Sequence, residues 1–169
     1  MEHLWAPWRK AYFERDSSAI DHLFEIIAQS SDDEKNFVLT RGKTTFSLLN
    51  RYPYNTAHCM VVPYRIIKNI TELTDTEMLE CFHTLNRLCK SIQKLFSPHG
   101  FNVGLNVGAA AGAGIESHLH WHLVPRWKND TNFITTIGNT RVHPDDLPTV
   151  YRLLKEDLSK DSIAQEEMK

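Results

Sequence analysis

The sequence predicts an α+β fold with a mainly antiparallel, five-stranded sheet, and three observations predict it. Residues 36–41 and 44–50 are strand-like runs joined by Gly42-Lys43, a hairpin signal. A long run at helical period follows, bracketed by start and stop residues. Two further alternating runs, 101–107 and 117–125, flank a loop of small residues, so no βαβ rhythm develops.

The elements follow in order. Residues 30–35, SSDDEK, read as a solvated loop, and Tyr52 to Asn55 read as a turn around Pro53. His58 to Pro63 is a short apolar run, expected as a buried strand ending at the proline. Thr74 with Glu77 three residues on is a capping box. Met78, Phe82, Leu85, Cys89, Ile92 and Phe96 then mark the expected buried face of a helix that stops before Pro98 and Gly100. Leu147, Val150, Leu154 and Leu158 predict a C-terminal helix over about 146–158, with residues 159–169 expected as a frayed tail. No linker or repeat divides the 169 residues, so a single domain is expected, with its core over about 4–158.

Composition narrows the function classes. Hydrophobic residues are 41% and charged residues 24%, a globular balance. The net charge of -2 argues against electrostatic binding of nucleic acid. No apolar run reaches the roughly 18 residues of a membrane helix, and no continuous apolar h-region marks a secretory signal. Cys59, Cys81 and Cys89 are odd in number and lack CxxC spacing, so neither a disulfide framework nor a thiolate zinc site is expected. Cys81 and Cys89 are read as helix packing. A cytoplasmic location fits this usage.

Chemistry concentrates in His118, His120 and His122. In an extended chain alternate side chains share a face, about 7 Å apart. The three imidazoles therefore line one side, while Leu119, Trp121 and Leu123 pack on the core. One histidine there would be ordinary packing; three at strict alternation are not. The row suits either metal ligation or nucleophilic catalysis by neutral imidazole. The loop before it, 106–114, favours the second, because glycines let backbone N–H groups approach phosphate oxygens. No Gly-Lys-Ser/Thr makes it a Walker loop, no nearby carboxylate completes a cupin-like metal set, and HxHxDH is absent.

On these residues the chain resembles the histidine triad (HIT) family of nucleotidyl hydrolases and transferases. HLHWHL at 118–123 matches the family's HxHxHxx signature. NRYPYNTAHCMVVP at 50–63 resembles its asparagine strand and GHxxVxP strand, with Ala57 where glycine is usual. LWAPWR at 4–9, GLNVG at 104–108 and PRWKNDTNF at 125–133 resemble a bacterial branch of diadenosine tetraphosphate phosphorylases and hydrolases. The resemblance spans roughly residues 4–158.

It implies a HIT-like fold whose sheet extends across a homodimer, with the long helix near the interface. It implies cleavage of a dinucleoside polyphosphate, with His120 attacking the α-phosphorus to form a nucleotidyl-histidine. His118, His122 and His58 complete the catalytic set. Asn50 is implied as a ribose contact and Asn106 as a residue near the phosphates, with Gly112, Gly114 and Ser117 as phosphate-loop donors. No cofactor is required, although Mg2+ can accompany the substrate's phosphates. Relatives hold zinc with CxxC, a histidine after the PxxH strand and the first triad histidine. Here those positions read His22-Leu-Phe-Glu25 and Ile66, so a structural zinc is not expected. Glutamine in the loop of other branches is replaced by Ala113-Gly114, so their leaving-group contacts do not carry over.

Trp5, Trp8 and Trp127 are read as packing rather than base-stacking residues. Arg126 and Lys128 stand open between distal phosphate contacts and plain surface charges. His3, His83, His99 and His143 are expected to be exposed. The alternative functions are a purine nucleoside phosphoramidase, a non-catalytic nucleotide-binding protein and a metal-dependent hydrolase.

Overall fold

A computed structural model of the chain describes residues 22–137 and 144–166, with side chains described to residue 160 and not at 136. His3, Trp5, Trp8 and His143 lie outside the described residues.

Among the described residues five strands form one antiparallel sheet: β1 (Val38–Arg41), β2 (Thr45–Leu49), β3 (Cys59–Pro63), β4 (Gly100–Leu105) and β5 (Trp121–Arg126). Their spatial order is β1-β2-β3-β5-β4. Among the described residues four α-helices accompany them: α1 (Leu23–Gln29), α2 (Asp75–Phe96), α3 (Phe133–Ile137) and α4 (Leu147–Glu166). The α+β expectation and the five strands hold.

The strands' period of two sorts residues between two cores. Cys59 and Val61 of β3, with Trp121 and Leu123 of β5, meet Cys81, Leu85, Leu88 and Ile92 of α2 and Val150, Leu154 and Leu158 of α4. The opposite face carries Phe46, Leu48, Met60 and Val62 against Phe24 and Ile27 of α1. Polar clamps fix the helices. Asp157 of α4 accepts from Ser91 of α2 at 2.8 Å. Glu80 of α2 accepts from the Lys43 and Thr44 amides, both at 2.7 Å, and so holds the β1–β2 turn. A Cβ at Gly42 would collide with that carboxylate, which is why the turn takes glycine.

Several local expectations are corrected. The run 117–125 is a strand only from Trp121, because the ladder to β3 spans Val61↔Trp121 to Cys59↔Leu123 and then diverges. Beyond it the Leu119 amide bonds instead to the Ile67 carbonyl at 2.7 Å. β4 likewise ends at Leu105 rather than Val107. In α2 the buried stripe is Cys81, Leu85, Leu88 and Ile92, while Met78, Leu79 and Phe82 are exposed. The apolar surface of this helix is wider than the sheet beneath it. The C-terminal helix runs to Glu166, past the expected end near Leu158, which is its last described buried apolar residue. α1 and α3 were not expected.

The start of α2 is its best-tied point. Thr74 accepts from the Glu77 amide, and Glu77 accepts from the Thr74 amide at 2.8 Å. Arg65 donates to both Glu77 oxygens at 2.9 and 2.8 Å. The Arg65 guanidinium, with the Thr74 bonds, holds the buried Glu77 carboxyl down at about 2. Its folded value lies below the ordinary 4.5, so the unfolded chain binds the extra proton. The contribution is complete above about 4.5 and is lost as pH falls toward about 2. Glu77→Ala is expected to cost about 2 kcal/mol in denaturant unfolding at pH 7, the size of a cap plus a charged hydrogen bond. The cost should shrink below pH 4; a difference independent of pH would contradict the ion pair's role.

Candidate active site

Strand β3 and the segment 118–122 deliver four histidines to one face of the sheet. Met60 pairs with His122, so His58, one pleat back from Met60, projects on the same side. Although 118–120 is not laddered, the alternation survives. His118 and His120 are buried, and the His120 and His122 rings lie 4.9 Å apart, edge to face.

Backbone groups that only donate or only accept set each ring's tautomer. His118 Nε2 lies 2.8 Å from the Pro63 carbonyl, so Nε2–H donates there. His120 Nδ1 lies 2.8 Å from the His118 carbonyl, so Nδ1 carries the proton and Nε2 keeps its lone pair. The Tyr54 amide donates to His58 Nδ1 at 3.1 Å. Neutral His58 therefore carries its proton on Nε2 and donates to His122 Nδ1 at 2.9 Å. That leaves the His122 proton on Nε2. The outcome is one bare nitrogen, on His120, beside one N–H, on His122.

Burial lowers the pKa of both His118 and His120 from the ordinary 6.5, against the opposing pull of their carbonyl bonds. Phe24 of α1 supplies part of that burial, with its ring 5.0 Å from His120 and 5.5 Å from His118. Both imidazoles thus stay neutral as pH drops through 6.5, the state a nucleophile requires.

A cavity opens above this face. Its apolar wall is Leu23, Phe24, Ile27, Phe37, Leu48 and Met60, and Asn50, Asn106, Gly112, Gly114, His120 and His122 provide its polar side. Asn50 Oδ1 accepts from the Tyr52 amide at 2.9 Å, which fixes the side chain at the rim. Of the expected set, His58 and His118 sit behind the cavity as supports. Ser117 lies instead in an adjoining groove with Lys68, Gly108 and Gly114. Within the glycine-rich loop, Gly108 and Gly112 adopt φ of +79 and +82. The Ala111, Gly112 and Ala113 amides turn back onto the Gly108 and Ala109 carbonyls. Those three amides bond within the loop at 3.2, 2.9 and 3.4 Å.

The turn 50–58 is held from behind. Asn55 donates to the Pro125 carbonyl at 2.9 Å and to Asp130 at 2.7 Å, and its own carbonyl accepts from the His58 amide at 3.2 Å. The Arg126 guanidinium grips Asp130 at 2.7 and 2.8 Å and holds its carboxyl well below the carboxylate range. Arg126 therefore braces this turn. Trp127 bonds the Phe96 carbonyl at 3.1 Å, a packing role as expected. Ala57 sits at φ +58, a left-handed conformation costing a residue with Cβ about 1 kcal/mol, which accounts for glycine being usual there.

Tyr54 and Phe24 escaped the sequence reading. Tyr54 packs on His58 at 4.5 Å and on His122 at 5.9 Å. Only the two-residue alternation from His58 to Met60 offered a signal for any wall residue. Of the residues at the positions where relatives hold zinc, His22 and Glu25 pair with each other, and the Glu25 carboxylate acts electrostatically on His118. His22 Nδ1 lies 2.7 Å from Glu25, Ile66 is exposed, and His118 Nε2 is engaged by Pro63. No three metal-ligating side chains converge among the described residues.

The family model described as HIT domain matches residues 31–129, which contain all four histidines. The chain belongs to this family. A relative from Mycobacterium tuberculosis named AP-4-A phosphorylase is 43% identical over 162 residues, covering 91% of this chain and 83% of that protein. A Schizosaccharomyces pombe bis(5'-nucleosyl)-tetraphosphatase [asymmetrical] is 31% identical over 55% of this chain and 50% of its own length. Among solved structures, a Zn-bound histidine triad family protein from Mycobacterium smegmatis aligns with TM-score 0.67 and 23% identity, covering 84% of this chain and 96% of that one. That likeness carries the fold.

Phe24→Leu withdraws the aromatic ring from both imidazoles while keeping an apolar side chain. The His120 pKa is expected to rise toward 6.5, read from the pH dependence of its ring C–H shifts by NMR. A pKa that stays put or falls would remove Phe24 from this account.

Proposed function

We propose that this HIT-family chain cleaves dinucleoside polyphosphates such as diadenosine tetraphosphate at the α-phosphate, through a nucleotidyl-His120 intermediate. The observation that carries it is the 2.8 Å contact of His120 Nδ1 with the His118 carbonyl, an acceptor only, from which it follows that Nδ1 carries the proton and Nε2 the lone pair. The named activities of the M. tuberculosis and S. pombe relatives support the substrate class.

In this mechanism the base enters the apolar slot and the ribose meets Asn50. The His120 Nε2 lone pair forms a bond to the α-phosphorus as the bond to the bridging oxygen breaks. His122 Nε2–H stands on the leaving side and supplies the proton to the departing polyphosphate, with His58 holding its other nitrogen. An oxygen of water or inorganic phosphate then attacks the phosphorus, the P–N bond breaks, and His120 returns. These steps use only side chains of this chain, and Mg2+ can accompany the substrate's phosphates. The chain works as a cytoplasmic homodimer. The open edge of β4 with exposed Val103, beside exposed Met78, Leu79 and Phe82, offers the face through which two sheets join.

His120→Asn should lower turnover of diadenosine tetraphosphate on the order of a thousandfold or more. Full turnover by that variant would overturn the covalent route. In product analysis of the unsubstituted protein, ADP plus ATP formed only with inorganic phosphate marks phosphorolysis. AMP plus ATP marks hydrolysis at the α-phosphate, whereas two ADP means attack at a β-phosphate and contradicts the nucleotidyl-His120 route. Binding of nucleotide with no turnover of polyphosphate or phosphoramidate would make the chain a binding protein instead.

A further inference from the structure

We propose that Lys68 supplies the cation of a subsite for a phosphate group beyond the α-phosphate, in the groove that Ser117 also lines. This inference rests on the nucleotide chemistry proposed for His120. A groove separate from the base slot is lined by Lys68, Asn69, Gly108, Gly114, Glu116 and Ser117. Gly114 lines both the groove and the main cavity, so the two meet at the loop. A chain with its α-phosphorus at His120 and its base in the slot has this groove as a neighbouring outlet.

Lys68 is the one cation among the described residues lining the groove, and no described carboxylate pairs with its ammonium. Its backbone is rigid although its side chain is exposed. The Lys68 amide donates to Glu72 at 3.0 Å, and the adjacent buried Ile67 accepts from the Leu119 amide at 2.7 Å. The turn bearing Lys68 is therefore stapled directly to the segment that carries His118 and His120. Ser117 directly precedes that segment. Asn69 is occupied in holding the turn, accepting from the Thr71 amide at 3.2 Å. Glu116 is exposed on the same groove and opposes an anion. Lys68 and Glu116 thus act with opposite sign on any phosphate bound there.

The ligand class is a phosphate oxyanion, either a distal phosphate of the substrate chain or free inorganic phosphate acting as acceptor. Calorimetric titration of the His120→Asn protein with AMP and with ATP separates the groove from the base slot. Lys68→Gln added to it should weaken ATP about fivefold, the size of one exposed charge-assisted hydrogen bond, and move AMP less than twofold. Glu116→Gln should tighten ATP and leave AMP unchanged. Equal losses for both nucleotides overturn the subsite, as does an unchanged ATP affinity together with unchanged KM values for both diadenosine tetraphosphate and inorganic phosphate. Failure of AMP to bind with Lys68 in place overturns the nucleotide reading itself, and the subsite with it. In the active protein, a raised KM for diadenosine tetraphosphate in Lys68→Gln assigns the groove to the substrate chain. A rise confined to the KM for inorganic phosphate assigns it to the acceptor.

Discussion

The hydrogen bond from His120 Nδ1 to the carbonyl of His118, 2.8 Å long, is the interaction on which the site depends. Imidazole has two nitrogens, and only the unprotonated one attacks phosphorus. In many enzymes a carboxylate chooses between them. Here a main-chain oxygen two residues back does so, which adds no charge to a buried place. The ring stays neutral because burial outweighs that bond, and it stays oriented because the carbonyl belongs to the same extended segment.

That segment has its geometry because two parts of the chain compete for it. From Trp121 onward it is a central strand between β3 and β4. Before Trp121 it leaves the ladder, and the turn after β3 takes over its bonds through the Pro63 and Ile67 carbonyls. The departure lets His118 face inward as an anchor while His120 faces the cavity. The fourth histidine follows from antiparallel register. Once Met60 pairs with His122, His58 falls within reach of it, and the Tyr54 amide sets which of its nitrogens donates. Helix α1 closes the site, with Arg41 holding its C-terminal carbonyls of Ile27 and Ala28 at 3.1 and 3.0 Å.

The legible parts were those governed by local period and local caps. The hairpin about Gly42, helix α2 from its Thr74 box and the one-sided histidine row needed no distant partner to be read. The row was readable even though its first half is not laddered, because alternation belongs to extended backbone rather than to a sheet. What stayed hidden depends on tertiary contact. The seven residues of α1 carry too short a pattern to announce a helix, and its formation leans on Arg41 and the core around Phe24. The buried stripe of α2 was misplaced because several overlapping stripes are apolar, and only the sheet decides which is covered. The internally bonded amides of the 108–113 loop and the brace from Arg126 to Asp130 to Asn55 are side-chain and turn geometry with no sequence period.

The most direct measurement is the tautomeric state of the four rings, from long-range nitrogen–proton correlation NMR on the 15N-labelled protein at neutral pH. The account predicts His120 protonated at Nδ1 with Nε2 bare, and His118, His58 and His122 protonated at Nε2. A His120 ring carrying its proton on Nε2, or on both nitrogens, would contradict it, because no lone pair would then face the substrate.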